Sequence, residues 1–220
     1  MLEEILPSSV RVAEAFGDEP AVALFPEEEA LVARASGKRR GEFATARACA
    51  RRALAGLGLP PVAIPAGEDG APRWPDGVVG SMTHCRGYRA AAVALAGDVT
   101  TVGIDAEPAL PLPPRILDKV AGPREQAMLA RLKDPSVCWD RLLFCVKEAV
   151  YKAWFPLTGS WLGFLDAVVE LDPGGTFGVV IPGRTPGGFD GRWATGHGLL
   201  LAAIAVEATG DPGPELDDRT

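Results

Sequence analysis

Residues 142–156 read LLFCVKEAVYKAWFP. Apolar residues recur at helical spacing over 138–155, which predicts one long amphipathic helix. The period then changes. From residue 164 onward, short apolar runs (167–171, 177–181, 192–195, 199–206) alternate with glycine turns, which is a strand signal. The same order occurs earlier in the chain. A helix over 42–57, with Phe43, Ala46, Ala50, Ala53 and Leu54 at helical spacing, precedes strand, turn and strand over 78–96 and a further strand over 99–104. The last strands, YRAAAVALAG and GLLLAAIAVEATG, are both alanine-rich. Helix then strands, stated twice, predicts an α+β fold and leaves a duplicated unit open. It argues against a doubly wound parallel sheet, and no G-x-G-x-x-G or P-loop sequence is present. Prolines at 108, 111, 113 and 114 mark the expected boundary, giving an N-terminal half over 1–108, a C-terminal half over 109–210 and a disordered tail over 211–220.

The 220 residues are 47% hydrophobic and 23% charged, an ordinary globular composition. No apolar run approaches the roughly 20 residues that span a membrane. The first residues, MLEEILPSS, lack the basic start and apolar core of a signal peptide. Four cysteines form no CxxC pair and no metal-like spacing, so reduced thiols in a soluble, cytoplasmic protein are expected. A net charge of −7 disfavours nucleic acid as a partner. The cations are nonetheless concentrated. KRRGEFATARACARR, residues 38–52, sets Lys38, Arg39, Arg40, Arg47, Arg51 and Arg52 against one acid, Glu42. Such a segment predicts contact with a compact anion.

Three further stretches carry chemistry. In VGIDAEP, Asp105 and Glu107 are two apart at the end of an apolar strand, so both side chains leave one face. They are either ligands for Mg²⁺ or Mn²⁺ or an exposed acidic turn ahead of Pro108. In GSMTHCRGYR, a turn between strands carries Ser81, Thr83 and His84, which could hold a phosphate or be structural. In the opening helix, Glu148 and Lys152 are four apart on one face. A surface ion pair is the common explanation, but here Phe144, Tyr151, Trp154 and Phe155 surround the charges. Taken together, three carboxylates for a divalent cation beside a histidine, a lysine and a basic segment suit transfer of a phosphate-bearing group from a polyphosphate donor.

In order and spacing, RRGEFATAR, GSMTHCRGYRAAAVA, VGIDAEP and FCVKEAVYKAWFPLTGSWLGF resemble the Sfp-type 4′-phosphopantetheinyl transferases, over about residues 37–206. The likeness is to the actinobacterial branch, which is similar to the enterobactin synthetase D component. The resemblance implies a monomer of two pseudo-duplicated α+β halves with the active site in the cleft between them. It implies transfer of 4′-phosphopantetheine from coenzyme A to a serine of apo acyl or peptidyl carrier proteins, with Mg²⁺, releasing adenosine 3′,5′-bisphosphate. Asp105, Glu107 and Glu148 are then the metal ligands, and Glu148 is also the base for the serine hydroxyl. Lys152 stabilises the pyrophosphate and the leaving phosphate. Arg39, Arg47, Thr83 and His84 belong to the phosphate pocket, and the main chain at Gly70, Ala71 and Pro72 faces the adenine.

One departure bears on the 3′-phosphate. Relatives often carry a lysine or arginine where this chain has Asp69 and Ala71, and Arg73 is the nearest substitute. Lys147 is counted with the coenzyme A contacts, although helical geometry turns it about 100° from Glu148. Phe144, Tyr151 and Trp161 are either walls for the pantetheine arm or core aromatics. The competing reading is a coenzyme A-binding module without catalysis. It predicts loss of a metal carboxylate or of the second lysine of KEAVYK, and all of these are present.

Overall fold

A computed structural model describes residues 1–67 and 70–208; Asp69 and the tail 211–220 lie outside the described residues. After a 3₁₀ turn at Leu2–Glu4 come β1 (Arg11–Ala15), α1 (Pro26–Val32), α2 (Gly37–Gly56), β2 (Val78–Cys85), β3 (Tyr88–Leu95) and β4 (Val99–Pro108). The chain continues through α3 (Leu117–Val120), α4 (Pro123–Leu129), α5 (Trp139–Thr158), β5 (Val168–Asp172), β6 (Thr176–Val180), β7 (Gly188–Gly196) and β8 (Leu199–Glu207). The pairings are antiparallel and build two sheets, β1-β3-β2 and β4-β8-β7-β6-β5.

Local chemistry sets the helix ends. Pro26 and Pro123 open α1 and α4, where a missing N–H costs nothing. Ser36 caps α2 by accepting a bond from the Arg39 amide at 3.3 Å, so that helix starts five residues before the apolar period suggests. Gly159 stops α5 in the left-handed conformation at φ 60°, which glycine adopts without strain.

Each 20-residue helix lies on a sheet. α2 buries Cys49, Ala50, Ala53 and Leu54 against Ala91 and Val93 of β3. α5 buries Leu142, Val146, Ala149 and Ala153 against β4, β5–β8 and α3–α4. A third apolar cluster joins Tyr88, Ala90, Ala92 and Ala94 of β3 to Val102, Ile104 and Leu201 of the other sheet, so the halves share a core.

The boundary differs from the one the prolines suggest. β4 pairs with β8, so Asp105 and Glu107 belong to the five-stranded sheet and the chain crosses between sheets at residues 96–98, before Val99. The proline-rich segment instead links β4 to the helices of the second half. At the seam, β2 runs beside β4 without a backbone ladder. The Ser81 and Thr83 hydroxyls accept the Ile104 and Ala106 amides, each at 3.1 Å, and close the gap that the two diverging sheets leave.

Gly103 brings α5 over this seam. A Cβ there would fall 2.2 Å from the Ala149 carbonyl oxygen and 2.8 Å from the Ala153 nitrogen. Only a residue without a side chain lets helix and strand backbones approach so closely. That approach carries Glu148 and Lys152 to the carboxylates of β4.

Candidate active site

A cleft of about 530 Å³ opens between the halves. From the first half, α2 presents Arg39, Phe43 and Arg47 at four-residue spacing, with Gly70, Ala71, Pro72 and His84 beside them. From the second, α5 presents Glu148, Tyr151, Lys152 and Phe155. The first wall is therefore mainly cationic, although it includes Glu42, and the second carries Glu148 and Lys152.

The basic segment divides once folded. Arg40 pairs with Glu29 at 2.5 Å, Arg51 with Glu28 at 2.9 Å and Arg52 with Glu19 at 2.6 Å, all acids remote in sequence. Arg39 and Arg47 are the members that line the cleft. The Arg47 guanidinium lies 3.7 Å from the centre of the Phe43 ring and donates to the Ile64 carbonyl at 3.4 Å. Burial pulls its pKa down to about 10, which leaves it cationic at neutral pH. Arg39 donates to His84 Nε2 at 2.7 Å. Arginine is always a donor, so that nitrogen accepts and the ring proton sits on Nδ1. His84 is an exposed residue, yet the surrounding protein, and then the Arg39 charge, hold it below the ordinary imidazole value.

On the other wall, Lys152 Nζ donates to Asp105 Oδ1 at 2.7 Å and to the Ile104 carbonyl at 3.2 Å. Thr83 donates to the same Asp105 oxygen at 3.0 Å. Asp105 Oδ2 is buried with no hydrogen-bond partner. Glu107 is held by Arg141 at 2.8 Å. Burial, then the Asp105 charge, pushes the Glu148 carboxyl upward; the same two causes raise Glu107. Three carboxyl groups crowded in this way repel one another unless a cation relieves them. Among the described residues no group of three His, Cys, Asp or Glu side chains is already arranged to hold a metal ion. The oxygen donor set nonetheless fits a hard divalent cation, because Asp105 Oδ2 is a buried acceptor whose bonding capacity is unused.

Two sequence expectations change here. Lys147 does not reach the cleft. Its ammonium is 4% exposed, pairs with Glu125 at 2.8 Å and donates to the Val120, Phe164 and Ala167 carbonyls. The 100° turn from Glu148 aims it into the second half's own core. Thr83 lines the cleft, but its hydroxyl is occupied by Asp105 and the Ala106 amide, so it joins the sheets and orients Asp105 instead of donating to a ligand. Arg73 is exposed and outside the cleft lining. Asp69 lies outside the described residues.

Arg141 and Glu125 were not anticipated. The signal for Arg141 was its place seven residues, two helical turns, before Glu148. For Glu125 it was the P-x-E start of α4. Phe144 stacks near Phe164, with ring centres 5.5 Å apart, and Tyr151 near Trp161 at 5.2 Å. These aromatics line or flank a second groove of about 180 Å³ that shares Glu148 and Tyr151 with the cleft.

An α+β chain that sets a mainly cationic wall across a cleft from Glu148 and Lys152, the lysine bonded to the buried Asp105, has the form of an enzyme for polyphosphate substrates. Comparison with known proteins gives the family. Residues 27–94 match the 4′-phosphopantetheinyl transferase N-terminal domain, and residues 101–205 match the 4′-phosphopantetheinyl transferase superfamily. The chain is 53% identical to the 4′-phosphopantetheinyl transferase Svp of Streptomyces mobaraensis, covering 100% of this chain and 99% of that protein. It is 50% identical to Npt of Nocardia iowensis (93% and 99% covered) and 46% identical to PptT of Mycobacterium tuberculosis (94% and 98%), both named 4′-phosphopantetheinyl transferases. The chain belongs to the 4′-phosphopantetheinyl transferase superfamily, whose members use coenzyme A to place phosphopantetheine on carrier proteins.

Proposed function

We propose that this chain carries out the family reaction in the cleft between its halves, with Mg²⁺ (or Mn²⁺) held by Asp105, Glu107 and Glu148. The bound cation would supply charge neutralisation at the pyrophosphate of coenzyme A. Arg39, Arg47 and His84 grip the nucleotide phosphates, and the 70–72 main chain packs on the adenine. Lys152, which bonds Asp105 and lines the cleft, supports the charge that develops on the pyrophosphate.

The carrier serine Oγ attacks the phosphorus that bears the pantetheine. The serine proton passes to Glu148, directly or through water, because a hydroxyl is a poor nucleophile without a base. The raised carboxyl of Glu148 suits that task, since a base works best when its pKa approaches the working pH. As the new P–O bond forms, the bridging P–O bond breaks and adenosine 3′,5′-bisphosphate leaves with the bridging oxygen. The arm lies along Phe144, Tyr151 and Trp161.

The carrying observation is the meeting of Glu148, Lys152 and the partnerless Asp105 oxygen opposite Arg39, Arg47 and His84 across one cleft. Both walls come from one chain, so we take the monomer to be complete. Among the described residues no helix is long and apolar enough to cross a membrane. The test is incubation with coenzyme A, Mg²⁺ and a panel of apo carrier proteins. A carrier mass gain of roughly 340 Da, the phosphopantetheine group, is expected. No gain on any carrier would refute the proposal.

A further inference from the structure

α1 and α4 carry the same device. Each is a seven-residue helix opened by proline, PEEEALV and PREQAML, with glutamate at its third position. Both glutamates are buried, at 0% and 2% exposure, where an acid needs partners for both oxygens. Glu28 accepts the Phe25 amide of its own helix start at 3.0 Å, the Ile64 amide at 2.9 Å and the Arg51 guanidinium of α2. Glu125 accepts the Gly122 amide at 2.8 Å, the Val169 amide at 2.9 Å and the Lys147 ammonium of α5. In both halves a buried glutamate ties a short helix, a long helix and a remote loop or strand to one point.

What each tie holds is a wall of the site. Ile64 begins the segment that returns through Arg73, whose amide donates to the Pro65 carbonyl at 2.8 Å; this segment carries Gly70, Ala71 and Pro72. Lys147 reaches further and donates to the Phe164 carbonyl at 2.5 Å and the Ala167 carbonyl at 3.0 Å. Those carbonyls belong to the loop whose Trp161, Leu162 and Phe164 line the groove beside Glu148.

We propose that these are twin positioning latches with separate targets: Glu28–Arg51 sets the wall at the nucleotide end, and Glu125–Lys147 sets the aromatic wall at the arm end. Lys147 also lines the arm-end groove, but its ammonium is committed to Glu125 and three carbonyls, so it acts on substrate by holding the 161–167 loop in place. The inference rests on the coenzyme A reading above and goes further by assigning the two ends to two buried pairs.

Calorimetric titration with two ligands separates the ends, because adenosine 3′,5′-bisphosphate lacks the arm. Single truncation of Lys147 would strand a buried charge, so the test uses K147M/E125Q, a neutral pair of similar shape that is commonly tolerated. Circular dichroism and thermal melting check the fold. In K147M/E125Q the Kd for coenzyme A should rise about tenfold, while that for the bisphosphate stays within about twofold. In E28Q/R51M both Kd values should rise, by about tenfold. Phe164→Ala removes the arm wall and leaves both latches, and should reproduce the selective loss of K147M/E125Q. Unchanged coenzyme A affinity in K147M/E125Q, or equal weakening of both ligands, would overturn the proposal. Wild-type protein that binds neither ligand would remove the coenzyme A reading itself.

Discussion

The two halves are built alike and face the cleft with opposite chemistry. Each has a proline-opened short helix with a buried glutamate, then a 20-residue helix lying on an antiparallel sheet. Yet α2 turns Arg39 and Arg47 inward, whereas α5 turns Glu148 and Lys152 inward and its sheet adds Asp105 and Glu107. The duplicated scaffold thus separates binding from reaction. In the reaction proposed above, the polyanion docks on the wall whose charge attracts it, and the proton and cation chemistry stay on the wall that carries the carboxylates. Acids paired with Arg39 and Arg47 would quench their charge, and the acid that α2 does place on that wall, Glu42, pairs instead with Arg89 at 3.4 Å. The way Arg40, Arg51 and Arg52 are consumed by Glu29, Glu28 and Glu19 shows this quenching elsewhere on α2.

That division is broken most severely by Glu148→Gln. It keeps the shape and removes the base and a charge, so transfer should fall by at least about a thousandfold with coenzyme A affinity nearly retained. Initial rates on an apo carrier, set beside binding titration, measure it, and comparable losses in both would put Glu148 on the binding side. Next is Gly103→Ala. A methyl group pressed against the Ala149 carbonyl must push α5 off β4, which should cost about 1–3 kcal/mol and separate Glu148 from Asp105. Thermal unfolding would show the loss, and an unshifted Tm would mean that the close approach is dispensable. The smallest effect sharpens the other wall. Arg47→Ala should raise the KM for coenzyme A about tenfold and leave kcat within about twofold, as expected for a group that only binds. A fall in kcat with KM unchanged would merge the two walls.

Part of this arrangement was legible in the chain. The shift from helical to alternating period in both halves predicted the α+β class, and period follows directly from where core-facing side chains must fall. The spacings Asp105–Glu107 and Glu148–Lys152 put each pair on one face because strand and helix geometry are local. The destination of Lys147 was not legible. Its angle from Glu148 is a helical property, but what lies in that direction is set by α4 and the 164–167 loop. The Ser81–Thr83 seam was hidden for the same reason: a hydroxyl in a strand reads as a surface or ligand group until another strand is placed beside it.

By itself, then, the sequence determined the two long helices and the strands that follow each, the same-face pairs and the set of residues able to do phosphate chemistry, since these depend on neighbours within a few positions. Only the tertiary structure decided that β4 joins the second sheet, which arginines remain for the cleft and which lysine reaches Asp105. Each of these depends on contacts between residues 10 to more than 50 positions apart, such as Arg40 with Glu29 and Lys152 with Asp105. Loop closure and burial select such partners, and neither leaves a periodic trace in the chain.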